Sequence, residues 1–167
     1  ALVERALGKS ITKEELGGPK VHAKSGVVDA VAKDETAALG LVRQFLSYMP
    51  QNVWELPPVA ACDDPVDRCD DRLLSLVPTD RRQAFDMRKL IGMVVDEGSW
   101  FEFARAYGPA LITGYARLNG RPVALFANDG RYLAGAMTAD AAQKVRRLIE
   151  IAETFHLPIV TFVDRAS

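Results

Sequence analysis

The segment Leu133–Leu148, LAGAMTADAAQKVRRL, sets an Ala-Gly-Ala turn directly before a predicted helix, an arrangement suited to binding an oxyanion. A strand, a glycine turn and a helix N-terminus together leave backbone N–H groups unpaired and facing outward. Gly135 permits a dihedral or a close backbone approach that a Cβ would resist. If its amide and that of Ala136 converge, they stabilise a developing enolate by roughly 3 kcal/mol per donor. Alone the turn is a weak signal, because most glycines ahead of helices only reverse the chain.

A second candidate is Leu16-Gly17-Gly18-Pro19-Lys20-Val21-His22, followed by Ser25-Gly26. Adjacent glycines admit a ligand to the backbone, and His22 is one of two imidazoles that could move a proton near neutral pH. No nucleophile or carboxylate partner follows from the spacing, so these residues alone fit a glycine turn with a structural histidine better. Asp63, Asp64, Asp67, Asp70 and Asp71, with Arg68 and Arg72, lack the glycine and terminal Glu of a calcium loop and read as a solvated acidic loop. Arg146 and Arg147 are candidates for phosphate contacts, although Arg146 precedes Glu150 by one helical turn and reads as a solvent-facing pair. Cys62 and Cys69 match no zinc spacing and read as free thiols, so no metal is expected. Trp54 and Trp100 read as packing anchors. Phosphate-loop and dinucleotide fingerprints are absent.

Around these residues the chain is an ordinary folded one. Lys and Arg total 21 against 22 Asp and Glu, a net charge of −1 that offers no extended footprint for nucleic acid or anionic lipid. Apolar residues make up 49%, enough for a core, yet no run is long enough to span a bilayer. The start, ALVERALGKS, has no initiating Met and no secretory core, which points to a cytoplasmic or mitochondrial-matrix protein whose natural start is missing.

The elements that must position the candidates follow from periodicity and caps. Thr12-Lys13-Glu14-Glu15 has capping-box spacing, and Gly17-Gly18-Pro19 ends the short helix it begins, with loop or extended chain expected next. Asp34 caps an amphipathic helix over 35–48, ended by Pro50. The proline- and acid-rich run 50–71 is irregular and marks a domain seam. A helix is expected around 88–94, then strands near 100–103 and 111–118, with Asn119-Gly120 turning a hairpin into 123–127. Thr138 caps a helix to about Phe155 that buries Ala142, Val145, Leu148, Ile149 and Ala152, and 159–163 reads as a buried strand. The order describes an α/β layer.

Several segments together carry a family resemblance: LGGPKVHAKSGVVD (16–29), FLSYMPQN (45–52), Asp64-Pro65 with Asp67-Arg68, FDMRKLI (85–91), Asp96-Glu97-Gly98 with Glu102, ITGYARLNGRPVALFAN (112–128) and AGAMTADAAQKVRRLIE (134–150). In this order and spacing they resemble the middle portion of the carboxyltransferase (beta) subunits of biotin-dependent acyl-CoA carboxylases. The resemblance implies a crotonase-like (ClpP/crotonase) ββα spiral with parts of two similar domains. Residues 1–60 would end an acyl-CoA-side domain, 61–81 would link, and 82–167 would begin a biotin-side domain. It implies carboxyl transfer from carboxybiotin, held on a partner carrier domain and not covalently on this chain, to acetyl-CoA or propionyl-CoA. Catalysis would then rest on orientation and oxyanion holes, consistent with the lack of a triad.

By the same resemblance Gly135 and Ala136 are the first half of the biotin-side hole, and Gly17, Gly18, His22, Ser25 and Gly26 line the acyl-CoA side. Expected partners are a biotin carboxylase/biotin carrier subunit and further copies of the chain, six in all, without nucleic acid or membrane. Relatives continue as VDVPG where Arg165, Ala166 and Ser167 stand here and then supply the rest of the biotin-side hole. The resemblance therefore implies either an excised portion of a longer subunit, the expectation preferred because half a hole loses most of its stabilisation, or a degenerate relative that cannot catalyse alone. The alternatives are the transferase subunit of a biotin-dependent decarboxylase, or a non-catalytic assembly module built on helices 35–48 and 138–155.

Overall fold

The computed structural model describes residue 5, residues 8–80 and residues 83–164; the C-terminal departure at Arg165, Ala166 and Ser167 lies outside the described residues. Four strands form one sheet in the order β1-β2-β3-β4. They are β1 Phe101–Phe103, β2 Leu111–Leu118, β3 Arg121–Asn128 and β4 Ile159–Phe162. The first three are antiparallel neighbours, and β4 joins β3 in parallel with Ala124 opposite Ile159. A parallel neighbour requires a crossover, here the helix Ala139–Thr154. It is α6, preceded by α1 Lys13–Gly17, α2 Pro19–Lys24, α3 Glu35–Ser47, α4 Arg72–Leu76 and α5 Met87–Val94.

Alternation along β2 and β3 feeds two cores on opposite faces. On one face Phe101, Phe103, Tyr115 and Ala124 meet Phe45 of α3 and Leu148 and Ala152 of α6. On the other, Ile112, Ala116, Val123 and Leu125 meet Met87 and Ile91 of α5. Trp100 crosses the middle of β2 at Gly114, where a Cβ would come within 2.7 Å of the indole, so it anchors packing as expected. Trp54 does not: it is 91% exposed in the turn-rich stretch after α3, outside both cores.

Local signals act where expected at most boundaries. Thr12 and Glu15 form the capping box, Asp34 accepts from the Ala37 amide, and Thr138 accepts from the Ala141 amide. The Asn119-Gly120 turn has positive φ at both residues, and the Asp96 carboxylate accepts from both amides. The stretch after Gly18 is different. Gly18 caps a second helix with Pro19 in its first turn, where the missing proline N–H costs nothing, so the expected loop is α2.

Two further expectations are corrected. β4 is not a buried strand: Ile159 is 43% exposed and Val163 beyond it 75%, because β4 is a sheet edge paired only with β3 among the described residues. The inner face of α6 is also rotated from the apolar pattern. It consists of Ala141, Lys144, Val145, Leu148 and Ala152, leaving Ile149 outward and Lys144 1% exposed. Counted with Lys144, the buried positions form an unbroken i, i+3, i+4, i+7 seam.

Lys144 Nζ donates to the Ala104 carbonyl at 3.3 Å, and burial pulls its pKa down to about 8. The unfolded chain holds this proton to about pH 10.5, so the unfolded state binds more protons between pH 8 and 10.5 and stability rises with pH there. Below pH 8 the penalty is complete, of the order of 1–3 kcal/mol. Ala104 O keeps the Tyr107 amide as a donor in any case. Lys144→Met is therefore expected to raise the thermal midpoint at pH 7, with the gain over wild type shrinking towards pH 10.5. A variant less stable than wild type at pH 7 would contradict this.

Candidate active site

β3 ends at Asn128, and the chain continues into a loop that starts with Asp129. Asp129 is completely buried beneath it. Arg88 Nη1 donates to Asp129 at 2.5 Å, while Arg88 Nε meets both oxygens of Glu102 at 3.0 and 2.9 Å. Arg131 donates to both Asp129 oxygens, each at 2.9 Å, and its Nη1 lies 3.0 Å from Asp86. Asp86 also caps α5 through the Arg88 amide. The FDMR motif thus divides its work: Asp86 starts the helix, Met87 enters the core and Arg88 bridges β1 to the loop.

A carboxylate without access to water needs such partners. Burial pushes the Asp129 pKa up, but hydrogen bonds from Arg131 and Arg88 outweigh it and hold the carboxyl below the ordinary range. Burial likewise works against the Arg88 charge, and Glu102 and Asp129 reverse that. The Asp129 contribution to stability is complete above its ordinary value of 3.8 and is lost as pH falls through its lowered folded value.

The loop ends in a tight 3₁₀ turn, Leu133–Gly135, in which three successive residues adopt φ of +49°, +51° and +73°. Only Gly135 does so without a Cβ penalty. The turn wraps so closely that Gly135 donates to Tyr132 O at 2.8 Å and Ala136 to Leu133 O at 3.0 Å. The expectation that these two amides stand unpaired and outward is therefore not met: the left-handed turn satisfies them locally. Beside the turn lies a cleft of about 390 Å³ with apolar walls at Leu111, Phe126, Met137 and Phe162 and a polar rim at Asn128 and Asp164.

The residues expected on the acyl side split into two places. Gly17 and Gly18 form the corner between α1 and α2, where a Cβ on Gly18 would meet the Glu14 carbonyl at 2.6 Å and one on Gly17 would touch His22 Nε2 at 3.4 Å. Ser25 donates to the His22 carbonyl. Gly26, at φ +78°, lies against the Tyr107 ring, and its carbonyl accepts from Arg147 Nη1 at 3.1 Å. Arg147 also pairs with Asp29 at 2.9 Å, so it ties the N-terminal stretch to α6 and is not a free phosphate ligand. Arg146 pairs with Glu150, as the spacing predicts.

The acidic stretch is more than a solvated loop. Asp64 binds Arg68 at 3.0 Å, and Arg68 donates to the carbonyls of Met93 and Val95 at the end of α5. Among the described residues no group of three or more His, Cys, Asp or Glu could hold a metal ion, and no helix is long and apolar enough to cross a membrane.

This arrangement has close counterparts among known proteins. Residues 1–166 match the carboxyl transferase domain, and the chain belongs to that family. The propionyl-CoA carboxylase beta chain of Roseobacter denitrificans is 35% identical over 164 residues, covering 98% of this chain and 32% of that protein. Methylmalonyl-CoA decarboxylase subunit alpha of Veillonella parvula is 33% identical over 165 residues, again 98% of this chain and 32% of the other. The transcarboxylase 12S structure with methylmalonyl-coenzyme A and methylmalonic acid bound superposes with a TM-score of 0.90 at 31% identity, over 98% of this chain and 31% of that one. The fold is thus the crotonase-like ββα architecture implied by the motifs. The chain spans about a third of the length of the curated relatives it matches.

Sequence reasoning did not foresee Asn128, Asp164 or the roles of Arg88, Glu102 and Asp129. The available signal was an Asn-Asp pair ending an apolar strand, a position where two polar side chains must both find partners. Arg88→Met would strand Glu102 and half of Asp129, and is expected to cost about 3–5 kcal/mol in denaturant unfolding. A loss below about 1 kcal/mol, typical of an exposed pair, would show that the network does not carry the seam.

Proposed function

We propose that this chain is the central part of a carboxyltransferase that moves the carboxyl group of carboxybiotin, presented by a partner carrier domain, to the α-carbon of a short acyl-CoA such as acetyl-CoA or propionyl-CoA. The observation that carries this reading is the agreement, over nearly the whole chain, with carboxylase and transcarboxylase subunits in both sequence and structure. On this reading residues 1–60 belong to the acyl-CoA-side domain, 61–81 to the linker and 82–167 to the biotin-side domain. A biotin carboxylase/carrier subunit and a hexamer of such subunits complete the assembly; the transcarboxylase relative is described as a hexamer.

The cleft beside Gly135 has the character that a bicyclic ureido ring calls for: apolar walls at Leu111, Phe126 and Phe162 and a polar rim at Asn128 and Asp164. Carboxybiotin, when bound, would supply the carboxyl group and then the base for the α-proton. Leu111, Phe126 and Phe162 would exclude water from the transfer, and Met137 would close the cleft against the turn. Gly135 and Ala136 would donate to the developing oxyanion after releasing Tyr132 O and Leu133 O. Each turn hydrogen bond given up costs about 0.5–1.5 kcal/mol. Each donor to an oxyanion returns about 3 kcal/mol, so the exchange is favourable at the transition state. Gly17, Gly18, His22, Ser25 and Gly26 remain the residues proposed for the acyl-CoA side.

The decarboxylase relative supports a second reading in which the same transfer runs from acyl-CoA to biotin. Incubating the native polypeptide that carries these residues with malonyl-CoA or methylmalonyl-CoA and free biotin is expected to produce carboxybiotin and the decarboxylated thioester under either reading. Absence of both products would contradict carboxyl transfer. Partners captured from the native cells then decide direction: an ATP-using biotin carboxylase supports the first reading, and a sodium-coupled decarboxylase complex the second.

A further inference from the structure

We infer that Asn128 is a positioning residue that holds the Leu133–Ala136 turn against the end of β4. Its side-chain amide acts as a piece of backbone. Nδ2 donates to the Asp164 carbonyl, and Oδ1 accepts from the Asp164 amide at 2.7 Å, so one side chain extends the β3–β4 pairing beyond the last strand residue. The clamp sits inside the loop, whose two glycines are the points where the loop crosses it. A Cβ on Gly135 would lie 2.6 Å from Asn128 Nδ2 and 3.2 Å from its Cβ. A Cβ on Gly130 would lie 3.3 Å from Asp164 Oδ2.

Gly135 is therefore required by its contact with Asn128, independently of its positive φ, while Gly130 lies close to the movable Asp164 carboxylate. Asn128, Gly135 and Asp164 also line one cleft, so any shift of the clamp changes where the turn amides stand relative to a ligand there. The next residue, Asp129, is anchored to Arg88 and Arg131 on the other side. The turn is thus fixed from β4 by Asn128 and from α5 by Asp129.

The catalytic consequence rests on the carboxyl-transfer reading; the clamp itself does not. Displacing catalytic donors by about 1 Å typically costs on the order of 100-fold in rate. The test uses two variants of the native polypeptide. Asn128→Asp keeps the shape but removes the Nδ2 donor, and Asn128→Ser keeps neutrality but shortens the reach. The first readout is backbone hydrogen exchange, which needs no turnover. Exchange at Gly135 and Ala136 is expected to rise about tenfold or more in both variants, with α6 and α5 unchanged. Unchanged exchange at the turn in both variants, or a rise shared equally by α5 and α6, would overturn the clamp.

The second readout is kinetic. The kcat for carboxyl transfer is expected to fall at least about tenfold while KM for the acyl-CoA stays within about twofold. A KM change without a kcat change would overturn the positioning role. The close approach predicts coupling as well: Gly135→Ala should cost less kcat in the Asn128→Ser background than in wild type, and additive losses would count against it. If wild type transfers no carboxyl group, the carboxyl-transfer reading fails, and hydrogen exchange still decides the clamp.

Discussion

A guanidinium set between two carboxylates in the seam between α5 and the sheet is the constraint on which the other features lean. Asp129 has no exposed surface, and a buried carboxylate is tolerated only when its charge and lone pairs are matched. Arg88 and Arg131 supply that match from two directions, and Arg88 also holds Glu102 on β1. Moving any of these elements would strand a charge, so the network fixes the start of α5, the middle of β1 and the departure of the loop together. An apolar substitute would pack the seam, but it would not aim the loop.

The loop after Asp129 stores strain that the network and the Asn128 clamp sustain. Leu133 and Ala134 sit at positive φ without the freedom of glycine, a conformation that persists only when its surroundings over-determine it. Such a turn, beside a cleft and ahead of a helix, suits a site whose donors must exchange a local carbonyl for a ligand oxygen. Its Gly135 and Ala136 amides are satisfied locally by Tyr132 O and Leu133 O, so on the proposed reading each would give up one turn hydrogen bond, a cost of about 0.5–1.5 kcal/mol. β4 is a sheet edge, and Leu39, Val42 and Leu46 leave an exposed apolar face on α3.

Much of the fold was legible in the sequence because its boundaries are set locally. Thr12, Asp34 and Thr138 cap helices by short-range hydrogen bonds, and Asn119-Gly120 fixes the hairpin by its own dihedrals. The misses share a cause. Trp54, β4 and the buried face of α6 differ from expectation because burial depends on what lies across the fold, which residue type and period do not record. Pro19 was read only as a stop, although after a glycine it is equally a start. The glycines of the candidate site were visible in the sequence; the partners that make them necessary were not. Asn128 reaches Asp164 and Arg88 reaches Asp129 across 36 and 41 positions, distances at which no motif spacing speaks.

The central claim is that the cleft between Leu111, Phe126, Phe162 and the Leu133–Ala136 turn receives the biotin ring. A structure of the native subunit with biotin bound tests it most directly. The ring is expected in that cleft, with the ureido oxygen roughly 3 Å from the Gly135 and Ala136 amides and the hydrogen bonds of those amides to Tyr132 and Leu133 broken. Biotin bound elsewhere, with the turn unchanged, would contradict it.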